Sequence, residues 1–466
     1  MGMPEDVSIG CANEPMVRVI VLAGGKGKRM LSNTPKVLHT VGGKTILSHV
    51  IDKALLVSDV PPIIVYGEDL KDVKNKTVFG SLEWVYQDKP LGTGHAVAKA
   101  LPYIKDTDIV LIMYADIPLI STQILKKMIG KQGKSQKLTL LTAEIKVPEG
   151  YGRIIREGNK ITKIIESVDL EAGQESLKEC NTGFMIMNGN LLKSYIPLIE
   201  RSNKQKEYYL TDCVSITLQH GIEVDAIKLE NEDQVIGIND MSQLAKAERI
   251  YQNNRIEQLM KSGVRIIDPM RLDIRGSLKA GTGVVIDCNV IIEGDVFLGD
   301  NVRVGPNSII SNSHISNNVK IEPNCIINNA KIGNSCRIGP FARIRPSTIL
   351  DDNVSVGNFV EIKNSLIGSH SKANHLSYLG DANLGTNVNV GAGTITCNYD
   401  GVAKHETIIG DDVFIGSNTE LIAPLKVDIG STIAAGSTIT KNVAPNSLAI
   451  SRNEQKQIDR WRRPKK

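Results

Sequence analysis

A chain of 466 residues is too long for one compact core, and 41% apolar content with 4% aromatic residues and 41 glycines points to small aliphatic cores joined by many tight turns. A net charge of +4 over that length argues against a dedicated nucleic-acid binder and leaves small anionic ligands open. Seven scattered cysteines without a CxxC pair argue against a disulfide framework or a zinc ribbon and for a reducing compartment. Residues 1–16 read as an N-terminal extension whose acids and prolines fail as a signal peptide. No run of about 18 apolar residues occurs, so the expectation is a cytoplasmic protein without membrane insertion.

From residue 17 to 239, strand-length apolar runs alternate with helix-like segments. "VRVIVLAGG", "PPIIVYG", "DIVLIMYAD", "LTLLTAEI" and "TGFMIMN" are apolar on both faces, as strands of a buried parallel sheet are. "ILSHVIDKALLV" and "TGHAVAKALPYI" carry apolar residues three and four apart, as helices do. Strand then helix, repeated, predicts a doubly wound, Rossmann-like α/β domain whose ligands sit beyond the carboxyl ends of its strands. Residues 240–263 predict a linker helix, with Asp240 as N-cap and Gly263 closing it.

Residues 264–466 form the second domain, and after residue 280 the period becomes six. Blocks such as VVIDCN, VIIEGD, VFLGDN, CRIGPF, ARIRPS and VFIGSN place Ile, Leu or Val third and turn formers at the fourth to sixth positions. Three hexapeptides close one triangular coil, so this half predicts a parallel β-helix of about nine coils, each adding ~4.8 Å. The rhythm breaks at 366–387 and 400–412, where loops are expected to leave the column. A basic tail, "RWRRPKK", ends the chain.

The stretch "VIVLAGGKGKRM", residues 19–30, delivers a strand into a glycine turn followed by Lys26, Lys28, Arg29 and, a little further on, Lys36. A dinucleotide fingerprint fails because Met30 stands at its third glycine, and a Walker A motif fails because Leu38 stands at its first. What remains is a turn whose backbone N–H groups can surround phosphate oxygens and whose cations can neutralise a leaving pyrophosphate. An ordinary strand–helix turn with solvated lysines explains the stretch equally well. Asp116 ends an apolar strand, where one carboxylate can hold a hydrated Mg²⁺ or, more ordinarily, cap a helix.

"LAGGKGKRM", "PKVLH", "LGTGHA", "YADIPL", "GYGRI", "NTGFMI", "EYYLTD" and "GIND" occur in the order found in nucleotidylyltransferases that activate sugar phosphates. "FARIRP", "GNFVEIKNS", "NHLSYLGD", "NVGAGTITCNYDG" and "ISRNEQ" resemble the acetyltransferase half of one group of them. Over residues 17 to 463 the chain is similar to the bifunctional enzymes, N-acetylglucosamine-1-phosphate uridylyltransferase and glucosamine-1-phosphate N-acetyltransferase, that make UDP-N-acetylglucosamine for peptidoglycan and lipopolysaccharide.

The resemblance implies a uridylyltransferase domain at 17–239, a left-handed β-helix acetyltransferase domain at 264–466, and a homotrimer. Acetyl-CoA and UTP are the implied co-substrates, and glucosamine 1-phosphate and N-acetylglucosamine 1-phosphate the implied acceptors. In the first site it implies contacts from Leu22, Ala23, Gly24, Gly25, Lys36, Gln87, Gly92, Thr93, Tyr114, Gly152, Glu166 and Asn181. Asp116 and Asn239 would hold Mg²⁺, and Arg29 and Lys36 would face the triphosphate. In the second it implies sugar-phosphate contacts from Arg345, Lys363, Tyr378 and Asn389, and acetyl-CoA contacts from Ala392, Asn398, Tyr399, Ser417, Ala435 and Arg452. His375, in the segment expected to loop out, is the implied general base, since an attacking amine must lose a proton near neutral pH. Gly24 stands where the family commonly has alanine, and Ala115 where it commonly has glycine.

Overall fold

The computed structural model describes residues 15–25, 27–71, 82–133 and 136–464; residues 1–14, Lys26 and the last two lysines of the tail lie outside them. The chain divides into two compact units between Tyr251 and Gln252. All six described cysteines carry free thiols. Among the described residues no helix is long and apolar enough to cross a membrane.

The first unit is built on nine strands: β1 (Val17–Ala23), β2 (Ile63–Tyr66), β3 (Glu83–Tyr86), β4 (Ile109–Tyr114), β5 (Leu138–Glu144), β6 (Arg153–Glu157), β7 (Lys160–Ile165), β8 (Glu179–Asn188) and β9 (Val224–Leu229). Their order is β9-β5-β8-β4-β1-β2-β3, with β6 paired to β8 and β7 to β6. β1 runs parallel to β2 and β4, and β2 to β3. The run containing "TGFMIMN", expected in a parallel sheet, is instead antiparallel to β4, β5 and β6. Burial on both faces fixes that a strand is central, and its direction is set by the connection that leads into it. The sheet separates two apolar layers, one with Leu47, Val50 and Ile51 of α1 (Ile46–Leu55), the other with Ala96, Val97 and Ala100 of α2 (Thr93–Ala100).

Because β1, β2, β3 and β4 point the same way, Gly24, Gly67, Gln87 and Asp116 follow directly at one edge of the sheet. Backbones crowd there, since a Cβ on Gly67 would lie 3.0 Å from the Gly24 carbonyl oxygen. The long helix α3 (Met241–Lys261) begins as its sequence predicts, with the Asp240 carboxylate accepting from Gln243 N at 2.8 Å. It ends where Gly263, at φ +97°, and Val264 donate back to Met260 and Leu259.

The second unit is a column of short parallel strands. One face is an eleven-stranded sheet that begins at Arg265–Ile266, so the column starts earlier and has more rungs than the six-residue text alone suggested. A seventeen-stranded sheet wraps the rest, an arrangement consistent with a left-handed β-helix. The third residue of each hexapeptide points inward, and Ile286, Ile292, Leu298, Val304, Ile310, Ile321, Ile338 and Ile344 are all buried in one continuous core. Asparagines recur at the corners for a local reason. Asn289, Asn307, Asn324 and Asn353 sit at φ of 58–61°, a region that asparagine tolerates better than other side chains.

One expected interruption is absent. Residues 366–387 continue the column through Leu366–Ile367, Lys372–His375, Tyr378–Gly380 and Ala382–Leu384. Their non-aliphatic spellings are corners and outward-facing positions, which the fold leaves free to vary. The second interruption is present: Asn387 and Asp412, bonded on successive rungs, are 25 residues apart, against 17 for Asn364 and Asp381. The surplus is the loop that carries the Tyr399–Lys404 bridge.

Candidate functional site

In the first unit a cleft of about 420 Å³ opens at the sheet edge. Ten of the residues expected there line it: Leu22, Ala23, Gly24 and Gly25 from the end of β1, Lys36, Gln87, Gly92, Thr93, Tyr114 and Asp116. Glu207 also lines it and had no sequence signal beyond the "EYYLTD" motif. Gly92 needs its lack of side chain, because at φ +114° a Cβ would lie 2.5 Å from the Tyr208 carbonyl oxygen.

Lys36 is the electrostatic centre of this cleft. Its ammonium donates to Asp116 Oδ2 at 2.5 Å and to Asn239 Oδ1 at 3.1 Å. Neither Lys36 nor Asp116 is open to bulk water, with side-chain exposures of 10% and 20%. Asp116 is no helix cap; its carbonyl accepts from Ile238 N at 2.9 Å, which fixes Asn239 beside it. Ala115 does not have a positive φ, so its methyl group is accommodated without strain.

The remaining expected residues do not line the cleft. Gly152 O accepts from Asn181 N at 2.9 Å, and the Asn181 side chain accepts from Gly183 N at 3.1 Å at the bulge in β8. Glu166 accepts from the Thr211 hydroxyl at 2.8 Å; burial pushes its carboxyl up. Burial, followed by the nearby Glu166 charge, likewise raises the Tyr114 phenol. Arg29 is exposed on the turn Lys28–Met30 and does not line the cleft.

In the second unit Arg345 and Lys363 stand on successive rungs, the backbone of Arg345 donating to Ile362 O at 2.8 Å. Gly380 lies opposite Lys363 on the next rung. Arg345 pairs with Glu361 at 2.7 Å. Sequence reasoning missed Lys404, which the 400–412 loop brings against Lys363. Contact with Lys404 and its charge hold the Lys363 ammonium below its ordinary value, with Arg345 adding to the effect. Asp381 faces the same cluster. Burial pushes its carboxyl up, yet hydrogen bonds from Asn364 and Asn398 and the charges of Lys404 and Lys363 hold it low overall. Arg345, Lys363 and Lys404 thus gather at one corner of the column, with the Glu361 and Asp381 carboxylates among them.

His375 ends a strand of the column rather than lying in a loop, and its Nδ1 is 3.0 Å from Asn358 Oδ1 on the rung below. Asn358, one coil length earlier in the sequence, was legible only through that spacing. The two residues share a depression of about 310 Å³ with Arg337, Ser355 and Asn374. Tyr378 opens the next face, and half-buried Asn389 lies on the strand paired with Lys372–His375.

Further along, the Ala392 carbonyl accepts from Asn418 N at 2.8 Å and the Ser417 carbonyl from Gly436 N at 2.8 Å. Arg452 Nη1 donates to Ala435 O at 2.7 Å, so Ala392, Ser417, Ala435 and Arg452 belong to one stack of rungs. Tyr399 is exposed, its hydroxyl donating to Gly401 O at 2.6 Å.

Comparison with known proteins gives matches in both units. Residues 19–150 match the MobA-like NTP transferase domain, and residues 274–375 the GMPPB C-terminal domain. The bifunctional protein GlmU of Nitrosospira multiformis is 48% identical over 452 residues, spanning 97% of this chain and 98% of that protein. Among solved structures, a UDP-glucose pyrophosphorylase complexed with UDP-glucose aligns with 52% of this chain and all of its own at 18% identity and a TM-score of 0.44. A UDP-glucose pyrophosphorylase of Acinetobacter baumanii aligns with 53% of this chain and 99% of its own at 18% identity and a TM-score of 0.41.

Proposed function

This chain belongs to the bifunctional GlmU family, a nucleotidyltransferase joined to an acyltransferase, and we propose that it N-acetylates glucosamine 1-phosphate from acetyl-CoA and then transfers uridylyl from UTP to the product. The first domain, residues 17–239, carries uridylyl transfer and the second, 264–466, acetyl transfer, with residues 240–263 between them. The observation that carries the reading is the glycine-walled cleft in which Lys36, Asp116 and Asn239 converge.

In the first reaction a phosphate oxygen of N-acetylglucosamine 1-phosphate attacks the α-phosphorus of UTP in line, and pyrophosphate leaves. The nucleophile is already an anion, so the chain's task is to position and to neutralise. Gly24 and Gly25 let backbone N–H groups approach the phosphates, and Lys36, with Arg29 from its exposed turn, meets the charge that builds on pyrophosphate. Glu166, Gly152 and Asn181 are assigned to orienting the sugar.

The donor set fits Mg²⁺: one carboxylate oxygen and one amide oxygen already share a cation, the Lys36 ammonium. Mg²⁺ bound by Asp116 and Asn239 would supply charge stabilisation at the phosphates.

In the second reaction Arg345, Lys363 and Lys404 hold the sugar phosphate, with Tyr378 and Asn389 beside it, and Ala392, Asn398, Tyr399, Ser417, Ala435 and Arg452 hold acetyl-CoA. Asn358 Oδ1 accepts from His375 Nδ1–H, which leaves the Nε2 lone pair to take the proton of the attacking amine. A backbone N–H near Ala392 meets the thioester oxyanion. A closed homotrimer is supported by Phe341, Phe359 and Leu376, bulky residues at φ of 48–56° and 49–62% exposed on adjacent corners beside His375. The product serves peptidoglycan and lipopolysaccharide synthesis in the cytoplasm.

The test assays both half-reactions on one preparation. Pyrophosphate release from UTP should require N-acetylglucosamine 1-phosphate and Mg²⁺, and thiol release from acetyl-CoA should require glucosamine 1-phosphate. Silence of either reaction removes that half of the assignment.

A further inference from the structure

Gln87 is 5% exposed, yet it reaches the nucleotide cleft, and its amide is held in one orientation from behind. Nε2 lies 3.2 Å from the Gly92 carbonyl oxygen and 3.1 Å from His95 Nδ1. A carbonyl oxygen only accepts, so the atom facing Gly92 is the NH₂ group. With one amide hydrogen on Gly92, the other points at His95 Nδ1, which must offer its lone pair. The ring is suited to this: burial, and then the Lys99 charge, lower its pKa and keep it neutral, while a hydrogen bond to the Lys89 backbone takes up its N–H. Both amide hydrogens are thus engaged on the protein side. What remains is Oε1, which has no partner among the described residues. It lies against Gly24, where a Cβ would come within 2.4 Å of it.

Resting on the uridylyl reading above, we infer that His95 is a positioning residue for nucleobase choice: it locks the Gln87 amide with Oε1 toward the base, selecting a pyrimidine that offers a ring N–H. Uracil has that donor at N3. Cytosine has a lone pair there, which would face the oxygen as acceptor against acceptor. Without the His95 lone pair only the Gly92 carbonyl holds the amide in this orientation, so Oε1 is kept toward the base less firmly and the preference for uracil relaxes. His95 does not line the cleft, so its effect on the base passes through Gln87.

The experiment compares kcat/KM for UTP and CTP, with N-acetylglucosamine 1-phosphate and Mg²⁺, in the full-length protein, His95→Phe and His95→Asn. Phenylalanine keeps a ring to pack beside Tyr208, whose ring centroid lies 6.3 Å from that of His95, but has no acceptor. It should lower the UTP to CTP ratio about tenfold, the worth of one hydrogen bond of ~1.4 kcal/mol. Asparagine can place its oxygen near the Nδ1 position and should restore most of the ratio. The ratio does not depend on the active fraction, so partial misfolding cannot imitate the result. An unchanged ratio in His95→Phe, or equal losses for both nucleotides in both variants, would overturn the inference. Silence of the unaltered protein with every nucleotide would instead overturn the uridylyl reading beneath it.

Discussion

Replacing Asp116 with asparagine keeps the shape of the side chain and removes one charge from the centre of the first site. The Lys36 ammonium then keeps two neutral oxygens in place of a carboxylate at 2.5 Å. A charge-assisted hydrogen bond is worth ~1.5–3 kcal/mol, and side-chain exposures of 10% and 20% leave little solvent to screen it, so about 2 kcal/mol of stability should go. For a unit of this size that lowers its melting temperature by roughly 4–8 °C and leaves it folded at 25 °C. Uridylyl transfer should fall much further. The carboxylate is the charged member of the proposed metal pair, and losing ~4 kcal/mol of transition-state stabilisation costs about a thousandfold in rate. Acetyl transfer, carried by residues of the other unit, should be unchanged. The assay is pyrophosphate release and coenzyme A release from one preparation, with a thermal melt alongside. Uridylyl transfer within tenfold of the parent, or acetyl transfer falling in step with it in a folded variant, would refute the assignment.

His375→Ala should lower acetyl transfer by ~10²–10⁴ and spare uridylyl transfer, while Asn358→Ala, which frees the imidazole tautomer, should cost about tenfold; equal rates in parent and His375→Ala would remove the histidine from the chemistry. Lys404→Ala should raise the KM for glucosamine 1-phosphate about tenfold without moving that for acetyl-CoA, and a shift in both would place the lysine elsewhere. The Asp212 carboxyl is pushed up to about 6 by burial and then by Glu166 and Asp169. Its folded pKa thus lies above its unfolded one, so its contribution is present below pH ~4 and is lost as pH rises through about 6. Asp212→Asn should therefore stabilise the first unit by about 1 kcal/mol near pH 8, discounted for partial solvation, and give no gain near pH 4. A melt that shows the same gain at both values would contradict this cause.

Much of the first site was legible because its residues are neighbours in the chain. "LAGG" ends a strand, and "LGTGHA" opens a helix beside it. The second fold was legible because a six-residue period records which side chains face a common core. Pairings across distant positions were not legible. His375 looked like a loop residue because its rung lacks the usual aliphatic spelling, yet it lies in a strand. Lys404 had no motif of its own, and its contact with Lys363 comes from the loop that returns it there. The approach of His95 Nδ1 to Gln87 likewise joins two residues whose motifs record no contact between them.

By itself, then, the sequence determined the two architectures, the glycine turn at the end of the first strand and the acids and bases available, since local periodicity and glycine placement are written along the chain. Only the tertiary structure decided the direction of β8, the sharing of the Lys36 ammonium between Asp116 and Asn239, and the orientation of the Gln87 amide. Those depend on groups many residues apart coming within hydrogen-bond reach, and no local pattern records such an approach.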